Sequence, residues 1–135
     1  MATAPGVYDA SLITTTLNNM IVTGFKKGTF VTANTDGDRV TVESNAQGEA
    51  SWALNNSKLG TVTLTLNQTS PFIRVLNELA NKKLFFPIWV DDPINKERRG
   101  GTEAFVTKIA DASFSEGVEG RAYTIKVGDF SVLNY

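Results

Sequence analysis

Neither histidine nor cysteine occurs anywhere in the 135 residues. The first absence removes the commonest general base and the commonest metal ligand, so serine-hydrolase and zinc-hydrolase readings lose their usual machinery. The second excludes disulfides, thiolate metal sites and thiolate nucleophiles, and it suits a reducing cytoplasm or an exposed particle. An excess of charge is missing too. Thirteen Lys and Arg against 14 Asp and Glu leave a net charge of −1, without the basic surplus of a dedicated nucleic-acid binder. No apolar run approaches the roughly 20 residues that a membrane-spanning helix requires. The opening Met1-Ala-Thr-Ala-Pro-Gly6 has neither a basic n-region nor an apolar h-region, so no secretory leader is expected.

What the chain does have is period-2 alternation. Val62, Leu64 and Leu66 alternate with Thr61, Thr63 and Thr65, which predicts a strand with one apolar face. Ser70 then stands where an N-cap belongs and Pro71 at the first helical position, where its missing N–H costs nothing. Phe72, Val75, Leu76 and Leu79 follow at helical spacing, predicting a helix over about 71–81 with Lys82 and Lys83 at the negative end of its dipole.

Around this centre, short strands are expected at 11–17 and 20–23, joined by a tight Asn18-Asn19 turn that tolerates positive φ. Further strands are expected at 30–33 and 39–43, with a turn at Asp36-Gly37. Residues 1–9 read as an extended arm, and 44–59 as a long loop or extended hairpin. Leu84 to Val90 is apolar throughout and reads as a buried or interface strand, demoted by Pro87 to an edge or bulged position. Residues 91–99 read as a charged loop, followed by strands near 102–109 and 121–127 and a last one at the end of the chain. The sum is a single domain over 1–135, mainly β: an antiparallel β-sandwich or barrel with one flanking α-helix.

Few residues offer chemistry. Asp91-Asp92 could act as a carboxylate pair, but loop neighbours of this kind more often cap a turn or meet Lys96, Arg98 and Arg99. Gly24-Phe-Lys-Lys-Gly28 lacks the P-loop's spacing and its final Lys-Ser/Thr, and reads as a turn. Asn34-Thr-Asp36-Gly-Asp38 with Glu43 has part of a calcium loop's spacing, but the glycine comes too early and the flanks are strands. No metal, cofactor or catalytic residue is expected. Trp89 lies in an apolar run and reads as packing, whereas Trp52 reads as a subunit contact ahead of a ligand-stacking residue.

Four blocks together resemble the tail-tube proteins of contractile-tailed bacteriophages. They are Gly24-Phe25 with Gly28-Thr-Phe30, Ala46-Gln-Gly-Glu49, the run from Ser57 through Gly60-Thr-Val-Thr-Leu-Thr-Leu-Asn-Gln-Thr-Ser-Pro71, and Phe86-Pro-Ile-Trp-Val-Asp-Asp92. The similarity covers roughly residues 10–130, and Trp52-Ala-Leu-Asn55 departs from it, being less charged than the family pattern. The resemblance implies a fold shared with type VI secretion tubes, in which six copies close a ring and their inner strands join in one multi-subunit barrel. Rings then stack into a hollow conduit inside a contractile sheath. The implied partners are other copies of the chain, the sheath, tape-measure, baseplate and tail-terminator proteins, and DNA passing through without sequence-specific binding. Such a chain would be assembled in the host bacterial cytoplasm and end in the virion tail.

On this reading, Glu43, Glu49, Trp52, Leu54 and Lys58 are candidate contacts between rings, and Thr61, Thr63 and Thr65 a lumen or inter-subunit face. The charged loop with Asp91, Asp92, Lys96, Arg98 and Arg99 faces either the sheath or the next ring. Two alternatives stay open: a tube subunit of a phage-derived device (a tailocin or a secretion system), and a monomeric ligand-binding β-sandwich that uses Trp52.

Overall fold

The alternation in the chain becomes strand after strand. A computed structural model describes residues 6–135. The elements are β1 (Thr14–Leu17), β2 (Met20–Ile21), β3 (Val31–Thr35), β4 (Val40–Ser44), β5 (Ala50–Leu54), β6 (Gly60–Asn67), α1 (Phe72–Lys82), β7 (Phe86–Asp92), β8 (Glu97–Lys108), β9 (Gly120–Val127) and β10 (Ser131–Asn134). All pairings are antiparallel, and the fold is mainly β with a single helix.

The main sheet runs β2-β1-β7-β8-β9-β6-β3, with β10 on β8. Because β9 pairs with 104–108 of β8 and β10 with 97–100, the last two strands lie end to end along one edge of β8. The sheet also bends back on itself. Phe25, just beyond β2, bridges Leu66 on the β6 edge that β3 leaves free, tying the two ends of the strand path together. Inside lie Leu17, Val62, Leu64, Leu66, Phe86, Ile88, Val106, Tyr123, Ile125 and Val127, all buried.

α1 closes one side of this core with Ile73, Leu76 and Leu79. Ile73, not Phe72 or Val75, completes the buried stripe, because the helix turns its 73–76–79 row toward the sheet and leaves Phe72 and Val75 half-buried at its margins. The helix starts one residue later than expected, with Pro71 at the cap position, and Ser70 braces that start: its Oγ accepts the Phe72 N–H at 3.3 Å and donates to the Thr23 carbonyl at 2.7 Å. At the other end Lys83 takes φ 55° and returns its N–H to the Ala80 carbonyl.

Two expectations change on the structure, the start of the first strand and the charged loop, and two resolve between alternatives the sequence left open, the bulge at Pro87 and the hairpin within 44–59. Residues 1–5 of the expected arm lie outside the described residues; within the remainder, Asp9 accepts the Ser11 N–H and starts a short 3₁₀ turn, Ala10–Leu12, so the first strand begins only at Thr14. β7 is not an edge, because it sits between β1 and β8. Pro87 is accommodated by a bulge, where the β7–β8 register shifts between Phe86 and Ile88. The charged stretch 91–99 is a hairpin rather than a loop: Asp91 and Asp92 end β7, and Glu97, Arg98 and Arg99 begin β8. The segment 44–59 contains β5, which pairs with β4 in a separate two-stranded sheet.

Candidate assembly surfaces

The first surface is the β4–β5 ribbon. All ten of its strand residues are exposed. The register sets Val40 opposite Leu54, Val42 opposite Trp52 and Ser44 opposite Ala50, so one face carries Val40, Val42, Trp52 and Leu54 together. Trp52 is 69% exposed and Leu54 75%. The turn is well ordered locally: Asn45 Oδ1 accepts the N–H groups of Gln47 and Glu49 at 3.0 and 2.9 Å. The base is pinned where the Asn55 N–H meets the Arg39 carbonyl at 2.7 Å and its Nδ2 donates to the Asp38 carbonyl at 3.0 Å. A ribbon of two strands is marginal by itself, and an apolar face of this kind calls for cover.

The five candidate contact residues do not share one surface. Trp52 and Leu54 lie on the apolar face, Glu43 is opposite Ser51 on the other face, and Glu49 stands at the turn. Lys58 is at the base, where its carbonyl accepts the Phe130 N–H at 2.8 Å. Val40 and Val42 belong with Trp52 and Leu54 and were legible in the Val-Thr-Val alternation, but only the register reveals which tryptophan they face.

The second surface is the threonine face. Thr63 is flanked by Thr32 on β3 and Thr124 on β9, and Thr61 by Asn34 and Lys126. Thr61, Thr63 and Thr65 are half-buried while Val62, Leu64 and Leu66 are fully buried, the two faces of one strand. Asp36 reaches onto this face. Its carboxylate accepts a short hydrogen bond from the Thr61 hydroxyl, and Lys126 Nζ donates to Asp36 Oδ2 at 3.0 Å and to Thr61 Oγ1 at 2.8 Å. Hydrogen bonds from Thr61 first, then Lys126, hold the Asp36 carboxyl below the usual carboxylate value.

The β7–β8 hairpin keeps its charges largely to itself. Asp92 caps the turn, accepting from the Ile94 N–H at 3.1 Å and from Asn95 Nδ2 at 2.8 Å. Arg98 lies 4.3 Å above the Trp89 ring and 3.4 Å from Asp91, while Arg99 meets Glu97 and donates to the Ala33 carbonyl at 2.9 Å. Lys96, at φ 52°, is the exposed member. Two further aromatics are exposed: Phe114, with Arg121 5.6 Å from its ring, and Phe85, which the apolar run from Leu84 put in a buried or interface strand but which precedes β7 and packs edge-on against Phe105.

Trp52 stands on the exposed face of the ribbon, away from the crevices lined by Tyr8 and Phe30, by Phe130, by Tyr135 and by Phe25.

No protein-family model matches the sequence, and no curated protein does. Solved structures do. A chain in the cryo-EM structure of the anti-feeding prophage cap (AFP tube terminating cap) aligns at a TM-score of 0.70 and 13% identity, covering 100% of this chain and 96% of that one. A chain in the virion of a native gene transfer agent particle aligns at 0.67 and 12%, over 94% of this chain and 99% of that one. A third, from the sheath/tube terminator of the extracellular contractile injection system PVC in its extended state, aligns at 0.66 and 10%, over 97% and 99%. Across nearly its whole length this chain shares the fold of chains that occur in contractile injection systems and in a gene transfer agent particle.

Proposed function

We propose that this chain is a structural subunit of a phage-type tail, specifically a tail-tube protein that closes hexameric rings and stacks them into a hollow conduit inside a contractile sheath. The observation that carries the reading is the β4–β5 ribbon. It projects Val40, Val42, Trp52 and Leu54 with nothing in the described chain to cover them, and a second copy in an adjacent ring is the cover we assign. Ring closure has a physical rationale, since strand edges joined between subunits no longer invite uncontrolled pairing. The near-full-length likeness to chains of sheath- and tube-bearing particles supports the same role.

On this reading the protein is not an enzyme. Other copies of the chain, a sheath, a tape-measure protein, a baseplate and a tail terminator are its partners, and DNA passes the threonine face. Negative-stain electron microscopy of the concentrated protein tests it. Six-fold rings or hollow tubes are expected, and a persistent monomer also in the presence of baseplate initiator would overturn it.

A second reading has its own support, because two of the similar structures are of tube-terminating assemblies. A terminator would stop at a single ring and cap preformed tubes, whereas a tube subunit would lengthen them. A phage-derived injection device would use the same physics as a phage tail. Neighbouring capsid and terminase genes identify a phage.

A further inference from the structure

Three lysines stand on or beside the threonine face. Lys126 lies on β9 beside Thr61, Lys108 ends β8 opposite Thr124, and Lys26 lies past the end of β6, where it donates to the Val118 carbonyl at 3.3 Å. Lys126 alone is tied to a carboxylate, and that carboxylate comes from outside the ladder. Asp36 sits just after β3, its backbone N–H held by the Leu59 carbonyl at 3.0 Å, and its side chain spans β6 to reach β9. One oxygen takes the Thr61 hydroxyl and the other takes Lys126 Nζ, whose second bond goes to the same Thr61 Oγ1. The three groups thus form a closed triangle.

A surface ion pair of this exposure, 48% and 30% for the two side chains, adds little to the stability of the fold. Its consequence is larger for what the face can bind. A free ammonium among threonine hydroxyls is a phosphate contact. Repeated once per subunit around a ring and again in each stacked ring, such contacts multiply, since polyanion affinity rises steeply with the number of phosphates neutralised.

We infer that Asp36 masks Lys126 so that the threonine face does not retain a passing nucleic acid. The inference rests on the proposed conduit reading, and it identifies the polyanion as double-stranded DNA.

The test is binding of a short fluorescein-labelled DNA duplex to the full-length protein by anisotropy across a salt series, with each preparation checked by electron microscopy. D36N unmasks Lys126, and D111N changes net charge equally at an exposed loop position that makes no ion pair with Lys126. Assembled D36N rings are expected to bind the duplex about tenfold or more tightly than D111N rings at low salt, with a steeper salt dependence. D36N/K126Q should return to the level of D111N. Equal affinity of D36N and D111N, in rings and in free chain alike, would overturn the inference while leaving any tubes that form as support for the conduit. An absence of rings in every preparation, with baseplate initiator added, and D36N still binding more tightly than D111N, would instead retain the masking and overturn the conduit.

Discussion

The Tyr123 hydroxyl donates to Asn77 Oδ1 at 2.7 Å, joining the middle of β9 to the middle of α1. Tyr123 is the largest fully buried side chain, and this bond is what allows a phenol to lie there. Burial raises its ionisation above the ordinary 10.0, against the opposing pull of the Arg121 charge. A raised folded value means stability that is complete below about pH 10 and lost as pH climbs through the raised value. Y123F should therefore cost roughly 0.5–1.5 kcal/mol at neutral pH by urea unfolding. It should also flatten the alkaline limb of the stability profile, and an unchanged limb would remove Tyr123 as its cause.

Asp129 gathers three donors at the corner between β9 and β10. Its carboxylate accepts the Thr102 N–H at 3.0 Å, the Thr102 hydroxyl at 2.6 Å and the Glu103 N–H at 2.9 Å. Burial pushes this carboxyl up, but the bonds from Thr102 and Glu103 outweigh it and hold it below 3.8. Its contribution is present above that unfolded value and disappears as pH falls through the folded one. D129A should lose about 1.5–3 kcal/mol near pH 7, with the difference from wild type shrinking under acid. A constant difference down to the acid transition would contradict the assignment.

The Thr15 hydroxyl is completely buried and has no hydrogen-bond partner among the described residues. An unpaired buried hydroxyl is a cost, and valine has nearly the same shape. T15V should raise stability by about 1 kcal/mol, seen as a higher melting temperature. A lower one would point to a partner for the hydroxyl, such as ordered water.

Much of this architecture was legible because it is local. Alternation over 60–67 and the Ser70-Pro71 start of the helix depend only on neighbours in sequence; the strand stands where the pattern put it, and the helix starts within one residue of it, at Phe72. The Asn18-Asn19 turn is equally local, with φ of 49° and 65°. What stayed hidden depends on register and topology. Pro87 signals an edge or a bulge, and only the strand order decides for the bulge, inside the sheet. The Asp91–Arg98 pair looked like a loop because nothing in sequence says two charged runs will face each other across a turn. The alignment of Val42 with Trp52, and of Asp36 with Lys126 some 90 positions away, exists only once strands are paired.

Gly100 marks a position where the register leaves no room. Its φ is +142°, and a Cβ there would stand 2.0 Å from the Ile88 carbonyl oxygen on the adjoining strand. That atom is backbone and cannot move aside without opening the β7–β8 ladder. G100A should cost more than the about 1–3 kcal/mol typical of overpacking and yield mostly insoluble protein. Gly48 is the comparison: its φ is +84°, but nothing lies within 4 Å. G48A should cost only about 1–2 kcal/mol, confined to the ribbon turn. Equal effects at the two sites, measured by soluble yield and thermal unfolding, would show that conformation rather than space controls Gly100.

The ribbon separates folding from assembly in a way that mutation can read. Trp52 and Leu54 are highly exposed and lie in a sheet apart from the main core, so W52S/L54S removes little buried area from the monomer. Surface substitutions of this kind usually stay within about 0.5 kcal/mol. If the apolar face docks on a neighbouring ring, the same change removes a tryptophan anchor of the sort that carries about 2 kcal/mol or more at interfaces. The expected result is a melting temperature of the isolated chain close to wild type together with loss of stacked rings in electron micrographs. Deleting residues 46–57 should act more strongly, leaving soluble monomers or single rings. Normal tubes from both variants would exclude the ribbon as the inter-ring contact. A large fall in the double variant's melting temperature would show that Trp52 and Leu54 stabilise the chain itself.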